Sequence, residues 1–314
     1  MLTALAATLI GLVALVRSAD SFVHGSAGLA LRLGMTPATV GLTLVALGTS
    51  APEILISGTA ALTDSPGLAV ANALGSNIAN TGLVLGAAIA LAPLAVARTS
   101  RVRDLPACIV VTLVTGGLLF DRHLGFPEGL ILLAGLALVL MLLWRFPDAQ
   151  LVEEAEEEMA HEQGRAAWVR FLLGLVILLA SARLLVWGAT RLALELHVSE
   201  ELVGLSVIAL GTSLPELATA VTAARRGHSG LMLGNVLGSN VLNLLTVLPL
   251  PALLAPGMIA ADLAGRDYLV MLGLTLLAAL VLTITGRRPL PRAAGWLLML
   301  LYAAYIGWLA LAGR

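Results

Sequence analysis

Two glutamates sit where a carboxylate is costly. Glu53 ends the apolar segment Gly41-Leu-Thr-Leu-Val-Ala-Leu-Gly-Thr-Ser-Ala-Pro-Glu53, and Glu216 ends Gly204-Leu-Ser-Val-Ile-Ala-Leu-Gly-Thr-Ser-Leu-Pro-Glu216. An ionisable group deep in such a segment is a functional hypothesis by default. Thr49 stands four residues before Glu53, as Thr212 does before Glu216, so hydroxyl and carboxylate share a helix face. Ser76 and Asn80, then Ser239 and Asn243, repeat the four-residue spacing further on. Pro52 and Pro215 lack an N–H and crowd the carbonyl four residues back, so each helix must bend or open there. Backbone carbonyls near Ala46–Gly48, and near Ala209 in the second copy, can then face a cavity. The donors are all oxygen, and no His, Cys or Met recurs with them. That set suits a hard cation such as Ca²⁺ or Na⁺ rather than zinc, copper or iron, and suits it better than the strict octahedron of Mg²⁺. Two carboxylates balance one Ca²⁺ or two Na⁺.

The elements that position these groups form a repeat. A constant shift of 163 aligns residues 41–80 with 204–243, and 20 of the 40 positions are identical. A proline in a membrane helix is often a plain kink, and small residues often only permit close packing. Two copies of Thr-Ser-x-Pro-Glu at the same depth favour function over that plainer reading. Gly41, Gly75, Gly82, Gly86, Gly204 and Gly238 are read as packing glycines, and Asn77 and Asn240 as structural helix–helix hydrogen bonders.

With roughly 20 apolar residues per span, ten helices are predicted near 2–30, 37–62, 67–93, 105–120, 127–145, 168–193, 200–224, 230–254, 267–286 and 293–312. Thr36-Pro37 and Ser199 with Glu200 and Glu201 read as helix starts. Five spans precede the acidic stretch 147–166 and five follow. An odd number per half requires inverted-topology repeats, 1–146 and 167–314, around a linker. With the N-terminus outside, twelve arginines face inward and four outward. The predicted fold is therefore an all-α polytopic membrane protein with both termini outside and 147–166 cytoplasmic. Arg17 and Asp20, three apart, read as a local ion pair, and Cys108 as a small buried hydrophobe.

Composition narrows the class. Of 314 residues, 59% are hydrophobic and 12% charged, about half the charged share of a soluble domain. The apolar runs are continuous rather than alternating, which argues against a barrel. A net charge of −1 gives no sign of nucleic-acid binding, and a lone cysteine excludes an internal disulfide. The first residues are read as part of a span rather than a cleaved leader. No nucleophile–base pair of His or Cys type recurs, so an intramembrane enzyme is disfavoured. A cation channel remains as an alternative, but an inverted repeat of kinked helices suits alternating access.

The paired Gly-Thr-Ser-x-Pro-Glu segments, each followed by a Gly-Ser-Asn helix, resemble the sodium/calcium exchangers of the calcium/cation antiporter superfamily, most of all its prokaryotic members. The resemblance implies antiport of Ca²⁺ against Na⁺ in a prokaryotic plasma membrane, with no cofactor and one chain sufficing. It implies Glu53 and Glu216 as the shared carboxylates of the calcium and sodium sites. Thr49 and Thr212 would add ligands. Carbonyls of Ala46 and Ala209, with Ser50, Ser213, Ser76 and Ser239, would complete the sodium sites, and Asn80 would line the middle. Asn243 stands where many of these exchangers carry Asp, which leaves H⁺/Ca²⁺ exchange as the alternative. Helices 2–30 and 168–193 would be the long, tilted, sliding pair.

Overall fold

Lipid offers backbone groups no hydrogen-bond partners, so a chain this apolar must satisfy them internally, as helices. A computed structural model describes residues 1–33, 35, 37–63, 65–92, 94–98, 100–145, 165–196, 209–284 and 289–312. Most of these are helical. In chain order the helices are α1 (Leu2–Arg32), α2 (Gly41–Thr49, after a turn at Pro37–Val40), α3 (Ala51–Leu62), α4 (Pro66–Leu91), α5 (Leu105–Leu118) and α6 (Phe126–Arg145). After the acidic stretch come α7 (Arg165–Glu195), α8 (Ala209–Thr212), α9 (Leu214–Arg225), α10 (Ser229–Leu254), α11 (Leu263–Ile284) and α12 (Arg292–Ala312). Short strands β1 (His123–Leu124) and β2 (Gly257–Met258) pair antiparallel, His123 opposite Met258.

Among the described residues, seven helices are long and apolar enough to cross a membrane, or eight if the bent pair α2–α3 counts as one span. That is fewer than the ten expected from hydropathy. Helix α5 has 14 residues, about 21 Å at 1.5 Å per residue, and falls short alone. Residues 197–208, the start of the expected 200–224 span, lie outside the described residues, as do Thr36, Ser199 and nearly all of the 147–166 linker.

The molecule is arranged for a hydrocarbon solvent. Leucine, valine, isoleucine and tryptophan side chains cover the outside, while most Ser, Thr and Asn side chains of the helix centres are buried. Helices α4 and α10 are central, each 83% buried over its most apolar window, against 17–33% for α1, α6, α7, α11 and α12.

Helices α1 and α7 pack antiparallel along their length through glycine notches. A Cβ at Gly11 would meet the backbone N of Leu185 at 2.7 Å, and one at Gly174 the backbone N of Phe22 at 2.7 Å. Gly25 likewise abuts the backbone of Phe171, and Gly188 that of Thr8. Each contact is the other's image under the shift of 163. The repeat therefore reaches further than the motif alone reveals: 11 of the 23 positions in 8–30 match those in 171–193. It also includes two π-helical turns, Ser100–Asp104 and Leu263–Asp267, each ending in Arg-Asp. Gly41, Gly82, Gly86 and Gly238 do pack closely against neighbouring helices, as predicted, but Gly75 has nothing within 4 Å of its would-be Cβ. Gly204 lies outside the described residues.

Asp20 does not form the local pair with Arg17 expected from their spacing. Its carboxylate accepts instead from Nε of Arg226 at 2.6 Å, and Nη1 of Arg226 lies 2.9 Å from Nε2 of His24. Arg226 arrives from the end of α9, 206 residues along the chain, a distance no local pattern anticipates. Cys108 is buried.

Candidate cation site

The site grows from two helix breaks with the same geometry. At Ser50 the backbone has φ −82° and ψ 7°, and at Ser213 φ −85° and ψ 5°. Each is followed two residues later by proline at the second position of a new helix, where a missing N–H costs nothing. Between α2 and α3 the axis turns by 54°. The break places Glu53 and Glu216 in the first turns of α3 and α9, where the positive end of the helix dipole favours a carboxylate. The Ala46 carbonyl is not wholly freed by the break. It accepts the Ser50 N–H at 2.9 Å and stands 3.4 Å from the Thr49 hydroxyl, so one lone pair is engaged.

Both glutamates are 1% exposed and close enough for Glu53 to feel the charge of Glu216. Hydroxyls of the first half approach both carboxylates. Ser50 Oγ donates to Glu216 Oε1 at 3.2 Å; the Thr49 hydroxyl also reaches Glu216, and that of Ser76 reaches Glu53. The hydroxyl on the broken helix of one repeat thus faces the carboxylate of the other.

Among the described residues, several buried oxygens have no partner: Glu53 Oε2, Glu216 Oε2, Asn80 Oδ1, Asn243 Oδ1, Ser213 Oγ and Ser239 Oγ. Buried polar groups ordinarily find hydrogen bonds. Unpaired oxygens on the same broken and central helices as two buried carboxylates are the kind of group a desolvated cation requires. No group of three or more His, Cys, Asp or Glu side chains is assembled among the described residues, so the charge brought to the site is that of two glutamates and the remaining donors are neutral.

Two helix irregularities hold the amides. The π-helical turns Asn80–Leu85 in α4 and Asn243–Val247 in α10 begin at the two asparagines that the repeat aligns. π-Turns inside α-helices often occur at functional sites. Behind them lies an amide layer: Asn77 Nδ2 donates to the Asn240 carbonyl at 3.1 Å, Asn240 Nδ2 to Thr81 Oγ1 at 2.9 Å, and Asn243 Nδ2 to Asn77 Oδ1 at 3.0 Å. Asn77 and Asn240 are thus helix–helix bonders, as their position predicted. Asn77 also engages the N–H₂ of Asn243, whose oxygen stays unpaired.

The structure therefore brings together Glu53, Glu216, Thr49, Ser50 and Ser76 through stated contacts, and buries Asn80, Ser213, Ser239 and Asn243 on the same broken or central helices. Thr212 is half-buried in α8, and Ala209 begins that helix. Sequence reasoning missed Asn72 and Asn235, each four residues before a site serine and related by the same shift of 163. Asn72 Nδ2 donates to the Glu53 carbonyl at 3.2 Å and to Ser57 Oγ at 2.9 Å; Asn235 meets Thr49. Their coincidence in the repeat was the available signal.

Known proteins place this arrangement. The family model described as sodium/calcium exchanger protein matches residues 3–145 and 166–311. The CaxA protein of Alkalimonas amylolytica is 44% identical over 312 residues, covering 97% of this chain and 98% of its own. The inner membrane protein YrbG of Escherichia coli (strain K12) is 37% identical over 325 residues, covering 99% and 97%. The solved structure of the sodium-calcium exchanger NCX_Mj, soaked with zero Na⁺ and Ca²⁺, superposes with a TM-score of 0.85 at 28% identity over 98% of this chain and 99% of that one. With nearly its whole length matched by the family model and by full-length relatives, the chain belongs to the sodium/calcium exchanger family.

Proposed function

We propose that this chain is a secondary antiporter that exchanges Ca²⁺ for Na⁺ across a prokaryotic inner membrane. The observation that carries the reading is the buried pair Glu53 and Glu216, on two alike helix breaks, among oxygens that lack protein partners. The pair matches one Ca²⁺ or two Na⁺ in charge. NCX_Mj is itself described as a sodium-calcium exchanger and YrbG as an inner membrane protein, which supports the same cargo and location here.

The ligand set is Glu53, Glu216, Thr49, Thr212, Ser50, Ser213, Ser76, Ser239, Asn80 and Asn243, with the carbonyls of Ala46 and Ala209. Ten spans form two inverted five-helix repeats, 1–146 and 167–314, joined by the cytoplasmic linker 147–166, with both termini outside. The reciprocal antiparallel contacts of α1 with α7, and the Asn77–Asn240 bond between equivalent residues, support that symmetry. A site reached alternately from two sides follows from such repeats, and α1 with α7 forms the long pair that slides across the core.

Two interacting buried carboxylates can also share a proton, and this favours H⁺/Ca²⁺ exchange as the second reading. One experiment separates them: Ca²⁺ uptake into proteoliposomes loaded with Na⁺, against proteoliposomes carrying only a pH gradient. Uptake driven by Na⁺ alone is expected. Uptake driven by the pH gradient alone overturns sodium coupling, and Ca²⁺ flux that needs no counter-ion points to a channel.

A further inference from the structure

We propose that Asn235 is a positioning residue: its side-chain amide sets the direction of the Thr49 hydroxyl and, through it, how tightly the site holds Ca²⁺. This rests on the reading of Thr49 and Glu216 as cation ligands. Asn235 lies on α10, fully buried, with Oδ1 3.2 Å from Thr49 Oγ1 and with Nδ2 lacking any partner. Thr49 itself is fully buried, and its oxygen also lies 3.4 Å from the Ala46 carbonyl and within reach of the Glu216 carboxylate.

A hydroxyl has one proton and two lone pairs, so these acceptors compete. When Thr49 gives its proton to Glu216, it neutralises part of the charge a cation needs and turns its lone pairs away. When it gives the proton to Asn235 Oδ1, its lone pairs and the carboxylate both face the cation. A half-turn of the Asn235 amide exchanges Oδ1 for Nδ2 at nearly the same place. The unpartnered Nδ2 then donates to Thr49, and the Thr49 proton returns to Glu216. One amide thus serves the loaded site in one orientation and the cation-free site in the other. The equivalent amide in the first repeat, Asn72, has its hydrogens directed at the Glu53 carbonyl and Ser57, so the reversible amide belongs to Asn235.

The test is equilibrium ⁴⁵Ca²⁺ binding to the purified full-length protein in detergent, for the parent, Asn235→Leu, Thr49→Val and the double variant. Asn235→Leu is expected to weaken Ca²⁺ binding about five- to tenfold, the worth of one hydrogen bond. Thr49→Val should weaken it at least as much. The double variant should bind no more weakly than Thr49→Val alone, because Asn235 acts through that hydroxyl. Parent affinity in Asn235→Leu, parent affinity in Thr49→Val, or losses that multiply in the double variant each overturn the proposal. Should Asn235→Leu fail to fold, Asn235→Ala, which also removes both amide groups, takes its place with the same outcomes: weaker binding that Thr49→Val absorbs supports the proposal, and parent affinity overturns it. Binding needs no counter-ion, so a failure of sodium coupling in vesicles sinks that part of the function and leaves this result standing. A parent that binds no Ca²⁺ overturns both.

Discussion

Glu216→Gln keeps the shape of the site and removes half its charge. Oε1 of Glu216 accepts from Ser50 at 3.2 Å, and a glutamine oxygen can keep that bond. Oε2 has no protein partner; in the variant an N–H₂ stands there, a donor where a cation needs an acceptor. Ca²⁺ balanced by two carboxylates is neutral, but over one carboxylate it carries an uncompensated charge in a site only 1% exposed. Removing one partner from a buried charge pair costs about 3–5 kcal/mol, which at about 1.4 kcal/mol per decade lowers affinity by roughly two to four powers of ten. The empty protein responds in the opposite sense. Two buried like charges repel and each is costly to desolvate, so replacing one leaves the fold as stable as the parent or more so. The assays are ⁴⁵Ca²⁺ binding and Na⁺-driven Ca²⁺ uptake, with thermal unfolding of the same preparation as the control for folding. Loss of binding with an undiminished Tm is expected, and the same for Glu53→Gln. Binding within a few-fold of the parent in either variant refutes the paired-carboxylate site.

Three further outcomes are expected. Asn243→Asp should keep Ca²⁺ uptake but change its pH profile from the parent's: a third carboxylate titrates beside the two already there, and it can no longer donate to Asn77 Oδ1 when ionised. A pH profile identical to the parent's counts against Asn243 lying in the site. In a Cys108→Ser background, a cysteine at position 157 should resist a membrane-impermeant thiol reagent in intact cells and one at position 261 should react; the reverse pattern overturns the orientation. Gly174→Val should cost several kcal/mol and yield little monodisperse protein, because even a Cβ meets the Phe22 backbone at 2.7 Å, whereas Gly75→Ala, with open space around it, should unfold at the parent's temperature.

The buried carboxylate pair and the helix breaks were more legible than the fold's detail, and the reason is physical. A carboxylate in an apolar run has few uses, so Glu53 and Glu216 announce themselves, and proline after Thr-Ser marks where the helix must break. The phase of the helix was not legible. Nothing in Asn80 or Asn243 as residues foretells a π-turn, because one extra residue per turn is decided by packing against the neighbouring helix rather than by propensity. Spacing also misled where a partner came from far along the chain. Arg17 is three residues from Asp20, yet Asp20 pairs with Arg226, since α1 lies against α9 and the chain's order says little about which helices touch. Among the described residues the spans number fewer than ten partly for such a reason: hydropathy sees apolar length, whereas α5 has 14 residues and a π-turn before it, while the start of the 200–224 span lies outside those residues. The early part of the repeat was missed because matches such as Gly11 with Gly174 are scattered among leucines common to any membrane helix, and acquire meaning only once each glycine is seen against the other repeat's helix.

Charge balance explains why this arrangement suits exchange rather than leak. Under the proposed reading the site carries −2 from Glu53 and Glu216, and every other donor is neutral. With one Ca²⁺ or two Na⁺ bound it is neutral, and a neutral site can be sealed from water as α1 and α7 slide past. With nothing bound, two bare carboxylates would have to be enclosed together without water, at several kcal/mol per ion, so the empty carrier stalls on whichever side it emptied. Ca²⁺ and Na⁺ compete for the same two carboxylates, so each cation must leave before the other can complete the neutral site. Exchange then needs no device beyond two glutamates and the cost of burying them uncompensated. The same logic assigns the neutral amides their part: Asn80 and Asn243 offer oxygen without adding charge, and Asn77, itself bonded to Asn240, holds Asn243 by its N–H₂ so that its oxygen stays unpaired.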